Sequence, residues 1–309
     1  MKLALVFPGQ GSQVVGMLQG YEGLPGIEET LEEARQALGA EFVRLLDEGP
    51  SELLNRTINT QPAMLTAGYA AYRAWRALGG PQPELVAGHS LGEYTALVAA
   101  DAIHFRDCLP LVRFRAQAMQ EAVPQDEGAM AAILGLDDNG VRQACAEAGG
   151  AVQAVNFNSP GQVVIAGEKR AVERASELCK SRGAKRALPL PVSAPFHSSL
   201  MRPAGEKLRV YLEKISLAAP KIKLLNNVDV KIENQPLAIK DALVRQAYSA
   251  VRWVETIAKM RELGVTQVIE CGPGRVLAGM TKRIDAGMQS AALADRASLE
   301  KALRAVSAA

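Results

Sequence analysis

The sequence predicts an α/β protein whose large domain, with a mostly parallel sheet, is interrupted by a smaller α+β subdomain. Three observations carry this. Short apolar runs alternate with helical stretches through residues 1–124 and again through 194–309, the rhythm of β-α units on one parallel sheet. Between them, in 125–193, the order becomes β-α-β-β-α-β, the split β-α-β arrangement of ferredoxin-like folds. A strand, the turn Gly88-His89-Ser90-Leu91-Gly92 and a helix then follow one another, a junction at home in open α/β sheets.

Residues 3–7 are a short apolar run stopped by Pro8-Gly9-Gln10-Gly11-Ser12-Gln13, read as a buried strand and a glycine-rich loop. A helix is expected at 27–38, closed by Gly39, and a longer one from an N-cap at Thr60 to Leu78. Residues 84–87 read as a strand entering the Ser90 turn, 91–100 as a helix, and 105–122 as a helix with Pro110 near its first turn. In the insertion, strands are expected at 129–135, 152–156, 162–167 and 185–190, and helices at 138–148 and 169–182. Beyond it come helices at 203–214, 237–247, 253–263 and 275–283, and strands at 222–225, 266–270 and 289–293.

With 309 residues, 48% hydrophobic and 22% charged, the chain can bury a sizeable core. A net charge of +2 is too small to make nucleic acid its main partner. Cys108, Cys145, Cys179 and Cys271 form no C-x-x-C pair, and His89, His104 and His197 have no metal-ligand spacing. The first apolar run is too short for a secretion signal, and no stretch approaches a membrane span. The expectation is a cytoplasmic, monomeric protein with no metal, no cofactor and no membrane partner.

G-x-S-x-G between a strand and a helix is the setting of a nucleophile elbow, which points to an α/β-hydrolase-like large domain. Gly88 and Gly92 let the two backbones pass closely, and Ser90 sits exposed at the helix head. The Leu91 amide can donate to an oxyanion there. The alternative is a plain Gly-Ser turn capping a helix. A serine hydroxyl needs a base. His89 adjoins Ser90 and points away, and His104 has no partner signal. His197, in the loop where the chain re-enters the large domain, is the best candidate. No acid among Asp101, Asp107 and Glu127 has a distinctive context, so none is assigned, and a backbone carbonyl could orient the imidazole instead. The loop Gly9-Gln10-Gly11-Ser12-Gln13 lacks the last glycine of G-x-G-x-x-G and the Lys-Ser/Thr of a P-loop. It can supply a second oxyanion amide from Gln10, or be a tight structural turn.

Val6-Phe7-Pro8-Gly9-Gln10-Gly11-Ser12-Gln13, Gly88-His89-Ser90-Leu91-Gly92-Glu93-Tyr94, Asn156-Phe157-Asn158-Ser159-Pro160-Gly161-Gln162 and Gly272-Pro273-Gly274 together resemble the bacterial malonyl-CoA:acyl carrier protein transacylases, over nearly the whole chain. The resemblance implies malonyl-CoA and acyl carrier protein as partners. It implies Ser90 as acyl carrier, His197 as base, and the Gln10 and Leu91 amides as oxyanion donors. It also implies that Arg115 binds the malonyl carboxylate and that the Gln246 carbonyl orients the histidine. Phe196 departs from the serine common before the histidine in stand-alone members, and with Leu91 it resembles malonyl-preferring polyketide synthase domains. Lys185, Arg186, Arg275, Lys282 and Arg283 are candidates for docking an acidic carrier, or are ordinary solvated charges. The rival functions are a malonyl transferase serving another carrier, such as that of a malonate decarboxylase or a polyketide system, a serine esterase or thioesterase, and a pseudoenzyme that only docks carriers.

Overall fold

Leu3-Ala4-Leu5-Val6-Phe7 has no polar side chain, the mark of a strand covered on both faces, and it lies at the centre of the main sheet. The computed structural model describes residues 2–124, 126–192 and 194–307. The strands among them are β1 (Leu3–Phe7), β2 (Leu85–Gly88), β3 (Gly128–Leu134), β4 (Val152–Ser159), β5 (Gln162–Glu168), β6 (Arg186–Pro189), β7 (Lys223–Leu225), β8 (Gln267–Cys271) and β9 (Gln289–Leu293). The main sheet has the order β7-β2-β1-β8-β9, and every pairing in it is parallel.

Alternation along β1 divides the core in two. Leu3, Leu5 and Phe7 pack with Trp75, Leu97 and Leu109, from helices Thr57–Ala77, Gly92–Ala99 and Phe105–Gln120. Ala4 and Val6 face the other way, onto Trp253, Ile257 and Met260 of Trp253–Glu262 and Leu277 and Met280 of Val276–Ile284.

β3 to β6 form a second, wholly antiparallel sheet of order β4-β5-β3-β6, the ferredoxin-like order. Helices Asp138–Ala148 and Lys169–Ser181 cover one face through Val141, Ala144, Val172 and Ala175. The other face, with Met130, Val155, Val164 and Ala166, packs on Ala118, Met119, Phe196, Met201 and Ala247. The loop carrying His197 is therefore clamped between the small sheet and the helices of the large one. The expected edges of the insertion, Gln125 and Ser193, lie outside the described residues.

Thr60 is not an N-cap. The helix begins at Thr57, and the buried Thr60 hydroxyl instead donates to the carbonyls of Leu54 (2.6 Å) and Arg56 (3.1 Å). Among the described residues three α-helices are additional to those expected: Ala40–Glu48, Ser51–Leu54 and Arg296–Ser307.

Candidate active site

The carboxyl ends of β1, β2, β7 and β8 converge, as in open α/β sheets whose sites lie beyond the strand ends. β1 and β2 run in register, with Phe7 opposite Gly88, and the His89 amide continues the ladder to the Phe7 carbonyl at 2.9 Å. The chain then turns sharply. A Cβ at Gly88 would lie 1.8 Å from the Gly92 carbonyl carbon, and one at Gly92 would lie 2.0 Å from the Phe7 carbonyl oxygen. Ser90 at the apex has φ +52°, a left-handed conformation that costs a non-glycine residue about 1–3 kcal/mol and persists only where its surroundings impose it. Asn227, just beyond β7, imposes it: its Oδ1 accepts from the Ser90 amide (2.7 Å) and its Nδ2 donates to the Gly88 carbonyl (2.6 Å).

Ser90 Oγ lies 2.7 Å from His197 Nε2, across 107 positions of sequence. His197 also has positive φ, +65°, and the residue is 4% exposed. Its Nδ1 is 2.9 Å from the Gln246 carbonyl oxygen. A carbonyl only accepts, so Nδ1 carries the hydrogen and Nε2 is left bare toward the serine hydroxyl. Helix Pro236–Gln246 ends at this residue, which frees its carbonyl from the helical ladder. No carboxylate takes the third position. Asp101 is exposed and pairs with Lys221 at 3.1 Å, and Asp107 is exposed on its helix.

Arg115, 2% exposed, projects from Phe105–Gln120 into the same cluster. Nη1 donates to Gln61 Oε1 (2.8 Å), and Nη2 to Gln246 Oε1 (2.9 Å) and Ser90 Oγ (3.3 Å). The Tyr94 ring lies 5.3 Å from the guanidinium carbon, and Nε has no partner. Arg115 makes no ion pair among the described residues. A buried cation held only by neutral acceptors is costly and favours an incoming anion. Gln61 continues to the first loop, its Nε2 donating to Gln10 Oε1 (3.3 Å), and Gln10 Nε2 reaches Thr57 Oγ1 (3.4 Å). The backbone amides of Gln10 and Leu91 donate to no other protein group among the described residues.

Burial, followed by the charge of Arg115, lowers the His197 pKa to about 3, so the ring is neutral. Burial raises Glu93 to about 7. Glu93 Oε2 accepts from Gln246 Nε2 (2.8 Å) and the Asn227 amide (3.0 Å), and Gln246 Nε2 also reaches the Ser90 carbonyl (3.1 Å).

Ser90, His197, Arg115 and Gln246 are thus one hydrogen-bonded cluster. His89 stands apart: its Nε2 lies 2.8 Å from Asn158 Oδ1 and its ring tilts against Trp253. His104 is exposed where Phe105–Gln120 begins. Sequence reasoning missed Gln61, Glu93 and Asn227. Glu93 had a signal, as the one charged residue in the elbow helix Gly92–Ala99; Gln61 and Asn227 had none. Among the described residues there is no group of three or more metal-ligating side chains, and no helix is long and apolar enough to cross a membrane.

The family model described as an acyl transferase domain matches residues 4–303. The chain is 54% identical to the malonyl CoA-acyl carrier protein transacylase of Escherichia coli K12, over 98% of this chain and 99% of that one. It is 44% identical to the protein of that name from Bacillus subtilis, over 98% and 96%. Among solved structures, an acyl-carrier-protein S-malonyltransferase from Burkholderia pseudomallei superposes with TM-score 0.97 at 63% identity, over 98% and 100%. A malonyl-transacylase in complex with its type II PKS acyl-carrier protein does so with TM-score 0.97 at 53% identity, over 99% and 100%.

Proposed function

We infer, from the premise that this chain belongs to the acyl transferase domain family, that it moves a malonyl group from malonyl-CoA to the phosphopantetheine thiol of an acyl carrier protein. The observation that carries the mechanism is the line Ser90 Oγ, His197 Nε2, His197 Nδ1, Gln246 carbonyl, at 2.7 and 2.9 Å.

In the first half-reaction, His197 Nε2 takes the hydroxyl proton as Ser90 Oγ attacks the thioester carbonyl. The tetrahedral oxyanion receives hydrogen bonds from the Gln10 and Leu91 amides; losing one such donor costs roughly 3–4 kcal/mol in barrier. Collapse breaks the C–S bond, and the His197 proton passes to the departing coenzyme A sulfur. The malonyl ester remains on Ser90 with its carboxylate on the Arg115 fork, which a lysine could not present in bidentate form. In the second half-reaction the carrier thiol gives its proton to His197 and attacks the ester, and the serine oxygen recovers the proton.

The Gln246 carbonyl suits this cycle. It orients the imidazole and favours the imidazolium without bringing a negative charge beside the malonyl carboxylate. Phe196, packed among Ala118, Met119 and Met201, narrows the acyl side of the site.

The carrier would dock on the rim where the two sheets meet. Arg283 reaches Gln162 Oε1 at 3.1 Å, and Lys185 packs against Gly135, whose amide bonds the Gly161 carbonyl at 2.7 Å. Both basic side chains therefore flank the turn after Asn158, the residue that contacts His89 beside the nucleophile. The reading treats residues 1–124 with 194–309 as the catalytic domain and 125–193 as the subdomain that completes this rim. It also holds that the chain acts as a monomer in the cytoplasm, with a charge of +2 too small to make nucleic acid its main partner.

Mass spectrometry after incubation with malonyl-CoA alone tests the reading. A malonyl adduct on Ser90 that persists until carrier protein is added, and is absent from Ser90→Ala, is expected. Rapid release to water without carrier would indicate a thioesterase instead.

A further inference from the structure

We propose that Glu93 is a positioning residue: its carboxylate fixes the amide sense of Gln246 and, through it, the orientation of the Arg115 fork. The proposal rests on the reading of Arg115 as the group that binds the malonyl carboxylate.

Gln246 does two separate jobs. Its main chain holds His197, and its side chain holds Arg115. The side-chain amide has two faces, one donating and one accepting, and they are not interchangeable. Nε2 points at two acceptors, the Ser90 carbonyl (3.1 Å) and Glu93 Oε2 (2.8 Å). Oε1 points at a donor, Arg115 Nη2 (2.9 Å). Rotating the amide by half a turn would set its NH2 against the guanidinium and its oxygen against two oxygens. Gln246 is 0%, Glu93 1% and Arg115 2% exposed, so water has little access to repair a wrong orientation between them.

Glu93 is the side-chain acceptor that enforces the right one. It is anchored in turn: the same Oε2 accepts from the Asn227 amide at 3.0 Å, and Asn227 is the residue that grips the Ser90 turn. The Glu93 side chain therefore bonds neither Ser90 nor the imidazole, yet it ties the carboxylate reader to the elbow. Hydrogen-bond acceptance, not charge, is what the geometry requires. Burial raises the Glu93 pKa to about 7, and a protonated or amide group in its place would keep an oxygen for both donors.

The experiment compares loading of Ser90 from malonyl-CoA and acetyl-CoA in wild type, Glu93→Ala, Glu93→Gln and Arg115→Ala, with thermal unfolding of each. Glu93→Ala is expected to lower the malonyl-to-acetyl ratio about tenfold, the scale of one well-placed buried hydrogen bond, with acetyl loading largely kept. Glu93→Gln is expected to restore the ratio. Equal loss of both donors in Glu93→Ala overturns the proposal, because a merely structural residue acts that way. An unchanged ratio in Glu93→Ala overturns it too, as does a Glu93→Gln ratio as low as that of Glu93→Ala. Arg115→Ala separates the two layers. If it abolishes the malonyl preference and Glu93→Ala does not, only the Glu93 role fails; if it leaves the preference intact, the reading of Arg115 fails and the proposal with it.

Discussion

His197 Nδ1 lies 2.9 Å from the main-chain carbonyl of Gln246, in the place where many serine hydrolases hold a carboxylate. A neutral acceptor stabilises an imidazolium less than an aspartate does. With Arg115 close by and the ring buried, the histidine stays neutral far into the acid range.

The acid limb of the loading rate should therefore fall well below the ordinary histidine value of 6.5, toward the lowered value of about 3. Only the neutral ring can accept the serine proton, so activity is lost as pH falls through the folded pKa. The charge of Arg115 is the second cause of the lowering, after burial. With acetyl-CoA as donor, which needs no carboxylate reader, Arg115→Ala should move the limb upward. Rate profiles of adduct formation against pH measure both. A wild-type limb at 6.5, or one that Arg115→Ala leaves in place, contradicts this account.

The Ser90 turn was legible because its chemistry is local: two glycines, a serine, a strand before and a helix after. His197 as the partner of the Ser90 hydroxyl was reachable by elimination, since the chain has only three histidines. Gln246 and Arg115 needed the family resemblance. Their place in the cluster comes from being buried together, and pattern alone makes each an ordinary surface residue of a helix. Gln61, Glu93 and Asn227 depend on contacts 51 to 153 positions apart, which no local spacing encodes. The last helix was readable in principle. Asp295 accepts from the Ser298 amide at 2.7 Å, and Leu299, Ala302, Leu303 and Val306 follow at helical spacing. Thr60 misled because a threonine inside a helix can bond backward to carbonyls as readily as it caps.

Gly88→Ala should destabilise the protein severely. The added methyl would meet the Gly92 carbonyl carbon at 1.8 Å and the Glu93 amide nitrogen at 2.2 Å, backbone atoms with no rotamer to yield. Overpacking of this kind costs roughly 1–3 kcal/mol or more. Gly279→Ala is the control: it lies within Val276–Ile284, and nothing stands within 4 Å of its Cβ position. There alanine should be neutral or stabilise by about 0.5–1 kcal/mol through helix propensity. Denaturant unfolding of the two variants should give opposite signs; similar losses in both would contradict the close-approach argument.

Added salt should weaken the carrier half-reaction more than the coenzyme A half-reaction. Lys185, Arg186, Arg275, Lys282 and Arg283 are all exposed, so attraction between them and an acidic carrier is screened within about 10 Å at 0.1 M salt. The expected result is a KM for carrier protein that rises with ionic strength while kcat holds. Lys185→Ala with Arg283→Ala should flatten that dependence. A salt response that survives in the double variant would move the docking surface elsewhere.

Glu270 should make stability depend on pH in the direction opposite to a salt-bridged carboxylate. It is fully buried at the end of β8, with Oε2 accepting from the Ala278 amide at 2.9 Å and Oε1 unpartnered. Burial raises its pKa from 4.5 to about 7, against the hydrogen bonds that pull it down. Below pH 4.5 both folded and unfolded chains hold the proton. Between there and about 7 the folded chain keeps a proton that the unfolded chain releases, so rising pH favours unfolding, and the loss is complete once the folded group ionises. Glu270→Gln cannot ionise and escapes this loss. The Tm of the variant minus that of wild type should therefore increase with pH across that window and level off above it. Glu93 and His197 titrate in both proteins and cancel in the difference. A gap that stays constant from pH 4.5 to 7 would mean that Glu270 is charged in the folded protein throughout, stabilised by the amides at the start of Val276–Ile284 more than burial penalises it.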